Sequence, residues 1–390
     1  MTLPDIVKRN KAANLLFYIA IAIETVLMIV EKSELTFSYE SYVFRFTFLL
    51  TFLAVLIMDH GKKEWIFIAL IVVFTAYCYF TSGKNDLLRY GMFILAAKNI
   101  DLKKCMKYVF FATLAGFLLI VILSVTGIFG DVSITMDFGR SKVQTRYCLG
   151  FGHPNALFAS FYALLLMWLW LYGGDAGFIA YAMVTIGMGA IVHITDSRTG
   201  MIIVAFTFLM AYLARLFDVL KTHAAIYVLT ALDVIVSVGL SVFGAWAAQT
   251  IYMGNKYLVN KWYWKVDRKL SGRMSNLHYG AENSGGVLKN WKLFAGHGAE
   301  SFFDMGWVRL FYWYGIIPTI LVIIMILAVV FICAKRKDMW TVVLIASLSV
   351  YTLTEATFVT RYTGRNFMIP VFGVYLCSLM AGKEFRKRSS

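Results

Sequence analysis

The chain has 390 residues, of which 60% are hydrophobic, and it carries a formal net charge of +15. This composition excludes an ordinary soluble domain, because soluble domains contain only about 45–50% apolar residues. Apolar stretches of membrane-spanning length recur along the whole chain, so we expect a single integral membrane domain over residues 1–390. On a membrane protein, the positive charge favours anionic lipid or phosphate partners, and we expect no nucleic-acid partner.

Twelve apolar runs in succession predict an all-α polytopic protein with about twelve transmembrane helices. The runs are 14–30, 42–58, 65–80, 87–100, 108–129, 155–172, 177–194, 199–217, 224–247, 307–334, 339–356 and 365–381. Lys and Arg clusters fall at both termini and in the even-numbered gaps between runs, and such clusters mark cytoplasmic loops. We therefore expect a multi-pass protein of the cytoplasmic membrane with both termini in the cytoplasm.

The longest polar segment, 248–306, separates helices 9 and 10 and is predicted to be a large extracytoplasmic loop. Within it, Trp262 and Trp264 stand among lysines and arginines, which predicts an amphipathic helix at the bilayer surface. Four tryptophans in and directly after this segment suit either stacking on sugar rings or an interfacial aromatic belt: Trp262, Trp264, Trp291 and Trp307. Loops longer than about fifteen residues tend to be functional.

Short polar motifs stand at the predicted outer starts of helices that run inward. They are Arg146 to Asn155, which includes His153; Asp196 to Gly200, which includes Arg198; Gly296-His297-Gly298 with Asp304; and Arg361 to Arg365. Between them, Leu270 to Arg273 is typical of a Ser-capped helix start. Helix N-termini favour anions, and the planar guanidinium matches phosphate oxygens. If these motifs converge, they would form an extracytoplasmic pyrophosphate site.

Each motif also has a purely structural interpretation. Asp304 and Ser197 are suited to be N-caps, and His153 beside a proline can shape a turn. Arg361 and Arg365 can extend along the membrane interface without binding anything. Arg198 is harder to explain structurally, because an arginine in a very short outward turn opposes the usual charge bias.

Four segments in order along roughly residues 140 to 370 resemble the Wzy polymerase family of bacterial polysaccharide synthesis, which is related to the O-antigen ligases. They are Arg146 to Asn155, Asp196 to Gly200, Leu270 to Arg273, and Phe303 to Gly306 running to Tyr314-Gly315-Ile316. Thr354-Glu355 before the last helix fits the same pattern. The resemblance implies a GT-C-like glycosyltransferase that acts at the outer face of the bacterial cytoplasmic membrane. Its donor and acceptor would both be undecaprenyl-pyrophosphate-linked oligosaccharides, as in capsule and exopolysaccharide polymerases. The family is thought to need no metal ion or other cofactor, and its partners could include a chain-length regulator.

The resemblance also assigns roles to residues. Arg198 and Arg273 lead as pyrophosphate-binding residues and Arg146 follows, while further candidate substrate contacts are Arg140, His153, Asn155, Arg361 and Arg365. The ligases have a catalytic histidine at the start of the helix after their large outer loop. At that position this chain has Asp304, with His297 seven residues earlier. Asp304 is favoured as the general base by position and His297 because imidazole ordinarily titrates near neutral pH, so both stay candidates.

Three other interpretations stay open. A ligase would transfer a finished glycan to a lipid or protein acceptor, and acceptor choice is not visible in these motifs. A flippase or transporter for the same lipid-linked sugar predicts charged residues along a path through the membrane core. A structural or sensory membrane protein would leave the outward arginines unexplained.

Overall fold

The computed structural model describes residues 3–138, 143–252, 261–270, 272–279, 285–299, 301, 303–356 and 363–380. These parts of the chain form α-helices and one two-stranded antiparallel ribbon. The helices are α1 (Leu3–Lys32), α2 (Glu40–Ile57), α3 (Lys62–Ser82), α4 (Asp86–Ala96), α5 (Leu102–Val125), α6 (Pro154–Tyr172), α7 (Phe178–Thr195), α8 (Arg198–Leu216), α9 (Asp218–Thr222), α10 (Ala224–Tyr252), α11 (Lys261–Lys269), α12 (Arg273–Tyr279), α13 (Gly306–Tyr314), α14 (Ile316–Arg336), α15 (Met339–Thr352) and α16 (Thr363–Met380). The ribbon pairs β1 (Ser133–Asp137) with β2 (Val143–Tyr147).

Nine helices in the described residues are long and apolar enough to cross a membrane: α1, α2, α3, α5, α6, α7, α8, α10 and α14. Two shorter apolar helices follow at Met339–Thr352 and Asn366–Leu379. The protein is therefore an all-α polytopic membrane protein, as the composition predicts. Each predicted apolar run contains a helix, although α4 has only 11 residues.

Contacts between distant segments sort the helix ends into two groups. One group, here called the basic end, includes the starts of α1, α3 and α5 with their lysines. There, Arg9 Nε donates to the Ile57 carbonyl (2.8 Å), Asn14 Nδ2 to the Asn99 carbonyl (3.0 Å) and Trp170 Nε1 to Thr341 Oγ1 (2.8 Å). The other group, here called the loop end, lies at the opposite side of the bundle. There, the Asp131 N–H donates to Glu34 Oε1 (2.9 Å) and Tyr314 Oη to Asp86 Oδ2 (2.9 Å). Both groups of contacts agree with consecutive spanning helices that alternate in direction.

The helix α6 is the most buried of the nine long spans. Its apolar window is 67% buried, compared with 17% for the peripheral α7. It packs against α5, α7, α15 and α16, while α15 also packs against α8 and α10. The start of α6 and the end of α15 are consequently held by many neighbours at the loop end.

Gly315 separates α13 from α14 with a φ of 104°, a conformation that favours glycine. The segment 292–295 lies against this break. The Ala295 N–H donates to the Tyr314 carbonyl (3.1 Å), and the N–H groups of Ile316 and Ile317 donate to the carbonyls of Lys292 (2.9 Å) and Leu293 (3.1 Å). The prediction of one helix over 307–334 is therefore wrong at this point, because apolar composition does not reveal a change of backbone direction.

The large segment predicted over 248–306 is partly helical in its described residues, as expected. It contains α11, α12 and a short 3₁₀ helix at Leu288–Asn290. Asp267 on α11 is buried, and its Oδ1 accepts the N–H groups of Met274 (2.8 Å) and Ser275 (3.3 Å). Asp267 thus caps α12, whereas the predicted cap Ser271 lies outside the described residues. The cap fixes the residue at which α12 begins.

Candidate functional site

Arg273 is the first residue of α12 and joins the large loop to the end of α15. Its Nε donates to the Thr354 carbonyl (2.7 Å), its Nη1 to the Leu270 carbonyl (3.1 Å) and its Nη2 to Glu355 Oε1 (2.5 Å). The residue is only 7% exposed. An anion would therefore bind this guanidinium by sharing or exchanging its present partners.

Asp304 lies between the large loop and α13. Its Oδ2 is 4.0 Å from Arg273 Nε, and its side chain is 42% exposed. The helix begins at Gly306, with Met305 in the N-cap position and no capping side-chain bond. The interpretation of Asp304 as an N-cap is therefore wrong. Its carboxylate is accessible from solvent beside a buried arginine.

The start of α6 contributes His153 and Asn155. The helix begins at Pro154, as predicted, and His153 Nδ1 accepts the Asn155 N–H at 3.1 Å. A neutral imidazole that accepts at Nδ1 carries its proton on Nε2. Desolvation by the surrounding protein lowers the pKa of His153. The Asp304 carboxylate raises this pKa, and the positive charge of Arg146 lowers it further. His153 is thus within electrostatic range of both charged groups.

Glu355 follows α15 and is the meeting point of several segments. Its Oε1 accepts from Arg273 and from Asn155 Nδ2 (3.2 Å). Burial raises the pKa of Glu355 to about 7; the charges of Arg273 and Arg309 oppose this shift, and the charge of Asp304 adds to it. A carboxyl that titrates near neutrality can take up or release a proton at physiological pH.

Arg146 lies on β2, where it is 6% exposed. Its Nη2 is 3.3 Å from Asp196 Oδ2, and its guanidinium lies 4.2 Å from the centroid of the Phe138 ring. The same ring contacts His153 edge-on, with 5.9 Å between ring centroids. The ribbon, the start of α6 and the α7–α8 turn therefore meet around Phe138.

Arg198 is the first residue of α8 and is exposed. Ser197 Oγ accepts the Gly200 N–H at 3.0 Å, which confirms the interpretation of Ser197 as an N-cap. Asp196, the partner of Arg146, ends α7 with a φ of 46°. The turn thus places one paired carboxylate and one accessible guanidinium two positions apart. We call the whole set the arginine–carboxylate cluster: Arg146, His153, Asn155, Asp196, Arg198, Arg273, Asp304 and Glu355.

His297 lies at the same end of the bundle but against a different helix. Its Nε2 is 3.1 Å from the Phe80 carbonyl of α3. A Cβ on Gly83 would lie 2.8 Å from His297 Nδ1, so the imidazole packs tightly on the end of α3. The remaining sequence candidates are not placed: Arg140 and Arg361 lie outside the described residues, as does the side chain of Arg365 on α16.

Two of the tryptophans considered for sugar stacking are instead packed inside the protein. Trp291 stacks face to face on Phe311, with ring centroids 4.5 Å apart and an interplanar angle of 2°. Trp307 is 1% exposed and donates from Nε1 to the Ser349 carbonyl at 3.2 Å. Neither presents a free ring face, so the stacking hypothesis is wrong for both. The side chains of Trp262 and Trp264 lie outside the described residues.

Sequence reasoning did not single out Arg309. It placed Glu355 in the family pattern and among the charges near apolar runs, which suit a functional role and helix pairing equally well. Arg309 on α13 is fully buried, and its Nη2 donates to the Phe303 carbonyl. The available signal was position, because a charge within or beside an apolar run is usually paired or functional.

The cluster can bind an anion and exchange a proton. Together with the buried Arg309, the cluster contains four arginines and three carboxylates, one of which titrates near neutrality, so its formal charge is positive. Most of these groups are at least partly removed from water, which strengthens their interactions with a bound anion. No protein-family model, curated protein or solved structure matches the chain.

Proposed function

We propose that this protein is a membrane glycosyltransferase that polymerises oligosaccharide repeat units carried on undecaprenyl pyrophosphate. The growing chain would move from its lipid pyrophosphate onto the non-reducing end of a new lipid-linked unit, within a GT-C-like fold. One observation carries the proposal. Arg273 contacts both Asp304 and Glu355, so that a buried guanidinium and two carboxylates from separate segments meet at one end of the bundle.

The arginines suit the leaving group of this reaction. When the bond between the anomeric carbon and the pyrophosphate breaks, negative charge develops on the pyrophosphate oxygens. Fixed donors that face this charge stabilise the transition state, and removal of one such donor typically lowers the rate about 10²–10³-fold. Arg198 is accessible and Arg273 is held by α15, so the first can capture the pyrophosphate and the second can define its position.

The carboxylates suit the acceptor. A sugar hydroxyl is a weak nucleophile with a high pKa, and a base within hydrogen-bond reach assists its attack. Of the two sequence candidates, Asp304 lies in the cluster and is accessible, whereas His297 contacts α3. These positions favour a carboxylate over His297 as the base.

The charge pattern supports an orientation for this chemistry. Lysine and arginine clusters occupy the termini and the short loops of the basic end, and the bias of such clusters toward the cytoplasm would place both termini inside the cell. The cluster would then face the outside of the bacterial cytoplasmic membrane, where lipid-linked units arrive through the bilayer. A chain-length regulator stays a proposed partner at that face.

A ligase would use the same cluster with a different acceptor, so we retain it as the alternative within the enzyme class. A flippase needs polar groups along a path through the membrane core. The buried pair of Glu24 and Arg89 lies within the helices. Thr47 Oγ1 also donates to the Glu24 carboxylate and Asn366 Nδ2 to the Glu24 backbone carbonyl, which is typical of a helix-packing contact.

Complementation of a bacterial strain that lacks its repeat-unit polymerase tests the function directly. Polymer ladders restored from single repeats would support a polymerase. Single repeats that are transferred to a final acceptor without being joined would indicate a ligase. Lipid-linked repeats that change sides of the membrane in vesicles, with no new glycosidic bond, would indicate a flippase.

A further inference from the structure

The proposed function leaves the proton of the acceptor hydroxyl without an assigned destination, and the surroundings of Glu355 point to one. Glu355 stands directly after α15, and its N–H donates to the Tyr351 carbonyl at 3.0 Å. Gly306 at the start of α13 approaches so closely that a Cβ there would lie 3.1 Å from the Glu355 carbonyl oxygen. The backbone of Glu355 is thus fixed by two helices, and its side chain extends into the cluster.

The side chain is held by polar groups from two further segments. Arg273 of α12 donates to Oε1, and so does Asn155 at the start of α6. The other charges that act on it are Asp304, before α13, and Arg309, within α13. Both hydrogen bonds that the described residues make to this side chain end on Oε1, so that among these residues Oε2 is the carboxylate oxygen available to another donor. The side chain is 17% exposed, so a polar group can approach it from the loop end.

The electrostatic balance keeps Glu355 close to the pH at which a base is most useful. Burial raises its pKa to about 7, even though Arg273 and Arg309 favour the carboxylate form. Replacement of the Arg273 contact by a bound pyrophosphate would remove part of that opposition, and the negative charge of the pyrophosphate would raise the proton affinity further. Substrate binding would therefore raise the proton affinity of the Glu355 carboxylate.

We propose that Glu355, rather than Asp304 or His297, is the general base, and that pyrophosphate binding at Arg273 frees it to act. This inference rests on the proposed function. In the step, the oxygen of the acceptor hydroxyl forms the new bond to the anomeric carbon. The bond from that carbon to the pyrophosphate oxygen breaks, and its electron pair stays on the pyrophosphate oxygen. The hydroxyl proton passes to Glu355 Oε2, and polyprenyl pyrophosphate leaves as an anion held by the arginines.

The test compares Glu355→Gln with the wild-type protein in nanodiscs supplied with lipid-pyrophosphate-linked repeat units. Glutamine keeps an oxygen that can accept from Arg273 and Asn155 but cannot act as a base at neutral pH. We expect the turnover rate to fall about 10²–10⁴-fold, while the affinity for undecaprenyl pyrophosphate changes less than about threefold. Glu31→Gln, at an exposed carboxylate of the loop end, is the matched control and should keep the wild-type rate.

Two further measurements separate a base from a residue that only positions Arg273. The wild-type kcat/KM, which reports the free protein, should fall below a pKa near 7, and this acid limb should be absent from the residual kcat/KM of Glu355→Gln. Glu355→Ala should regain activity when formate is added, because a small carboxylate can occupy the vacated space. If one of the two variants folds poorly, the measurement on the other variant still tests the role of Glu355.

The outcomes distinguish the inference from the function on which it rests. Wild-type polymerisation with full activity in Glu355→Gln, or an unchanged acid limb in that variant, would overturn the role of Glu355 and leave the glycosyltransferase intact. Failure of formate to rescue a folded Glu355→Ala would also count against it. A wild-type protein that joins no lipid-linked units would overturn the proposed function itself.

Discussion

Arg146 Nη2 lies 3.3 Å from Asp196 Oδ2, and this ion pair fastens the β-ribbon to the turn between α7 and α8. The arginine is buried and its charge is matched, whereas Arg198 is exposed two residues beyond the aspartate. Arg198, a leading pyrophosphate candidate from the sequence, and Arg146, which followed it, therefore have different environments. Arg146 shapes the site, and Arg198 is available to a ligand.

Arg198→Ala should abolish polymer formation without reducing the amount of protein in the membrane. Loss of an accessible donor lowers the turnover rate about 10²–10³-fold, and it disturbs little of the packing around Arg198. Chain-length ladders from complemented cells, with immunoblots of membrane fractions, provide the measurement. Arg268→Ala, an exposed arginine on α11, is the control and should leave the ladders unchanged. Normal ladders from Arg198→Ala would remove it from the pyrophosphate site.

Arg273→Ala should lose both polymer and stability. Its removal takes away the side-chain donor of the Thr354 carbonyl and the charged partner of Glu355, and loss of one partner from a buried pair costs about 3–5 kcal/mol. Arg273→Lys keeps the charge but cannot reproduce three separate contacts, so we expect partial stability and low activity. Thermal unfolding in detergent and the ladder assay measure the two effects. Wild-type ladders from Arg273→Ala would contradict the assignment.

Asp304→Asn and His297→Ala should separate the two base candidates that the sequence offered. Because the Asp304 charge raises the pKa of Glu355, its removal should shift the acid limb of the rate to lower pH. The maximal rate should change less than about tenfold, well below the loss expected for a general base. His297→Ala should leave the pH profile unchanged, since the imidazole contacts α3. A 10³-fold loss in either variant would identify that residue as the base instead.

Gly306→Ala should reduce activity by displacing α13 from the turn that contains Glu355. A Cβ at this position would lie 2.7 Å from Thr352 Cγ2 and 2.9 Å from Ala356 Cα, and a backbone neighbour cannot rotate away. Gly187→Ala, on α7, meets nothing within 4 Å and is the control. Repeat-unit joining and unfolding temperature should both fall in the first variant and stay level in the second. An active, stable Gly306→Ala would mean that this contact does not position the site.

The orientation can be tested by thiol labelling of intact cells. All five native cysteines are buried, so the background should be low. Lys289→Cys, exposed at the loop end, should react with a membrane-impermeant maleimide added outside. Lys103→Cys, exposed at the basic end, should react only after the membrane is permeabilised. The reverse pattern would place the cluster in the cytoplasm and contradict the proposed use of lipid-linked units at the outer face.

The helices were predictable from sequence because apolar length is a local property, and so was the start of α6 at Pro154. The site was only partly predictable. The motifs containing Asn155, Arg273 and Asp304 do converge, but the group that joins two of them is Glu355, which lies 200 residues from Asn155 in the chain. A hydrogen bond across that separation leaves no periodicity or spacing in one sequence. The contact of His297 with α3 was unpredictable for the same reason, since nothing local in the sequence indicates it.

The contact between segment 292–295 and the break at Gly315 also constrains how the chain can be re-engineered. In a helix pair beside lipid, the N–H groups of Ile316 and Ile317 and the carbonyl of Tyr314 need partners from the protein. Those partners belong to the large loop. A chimera that exchanges the loop alone between related proteins would leave up to three backbone groups unmatched, at about 1–3 kcal/mol each. The loop segment 292–295 and the α13–α14 pair therefore form one unit, and a chimera should exchange them together.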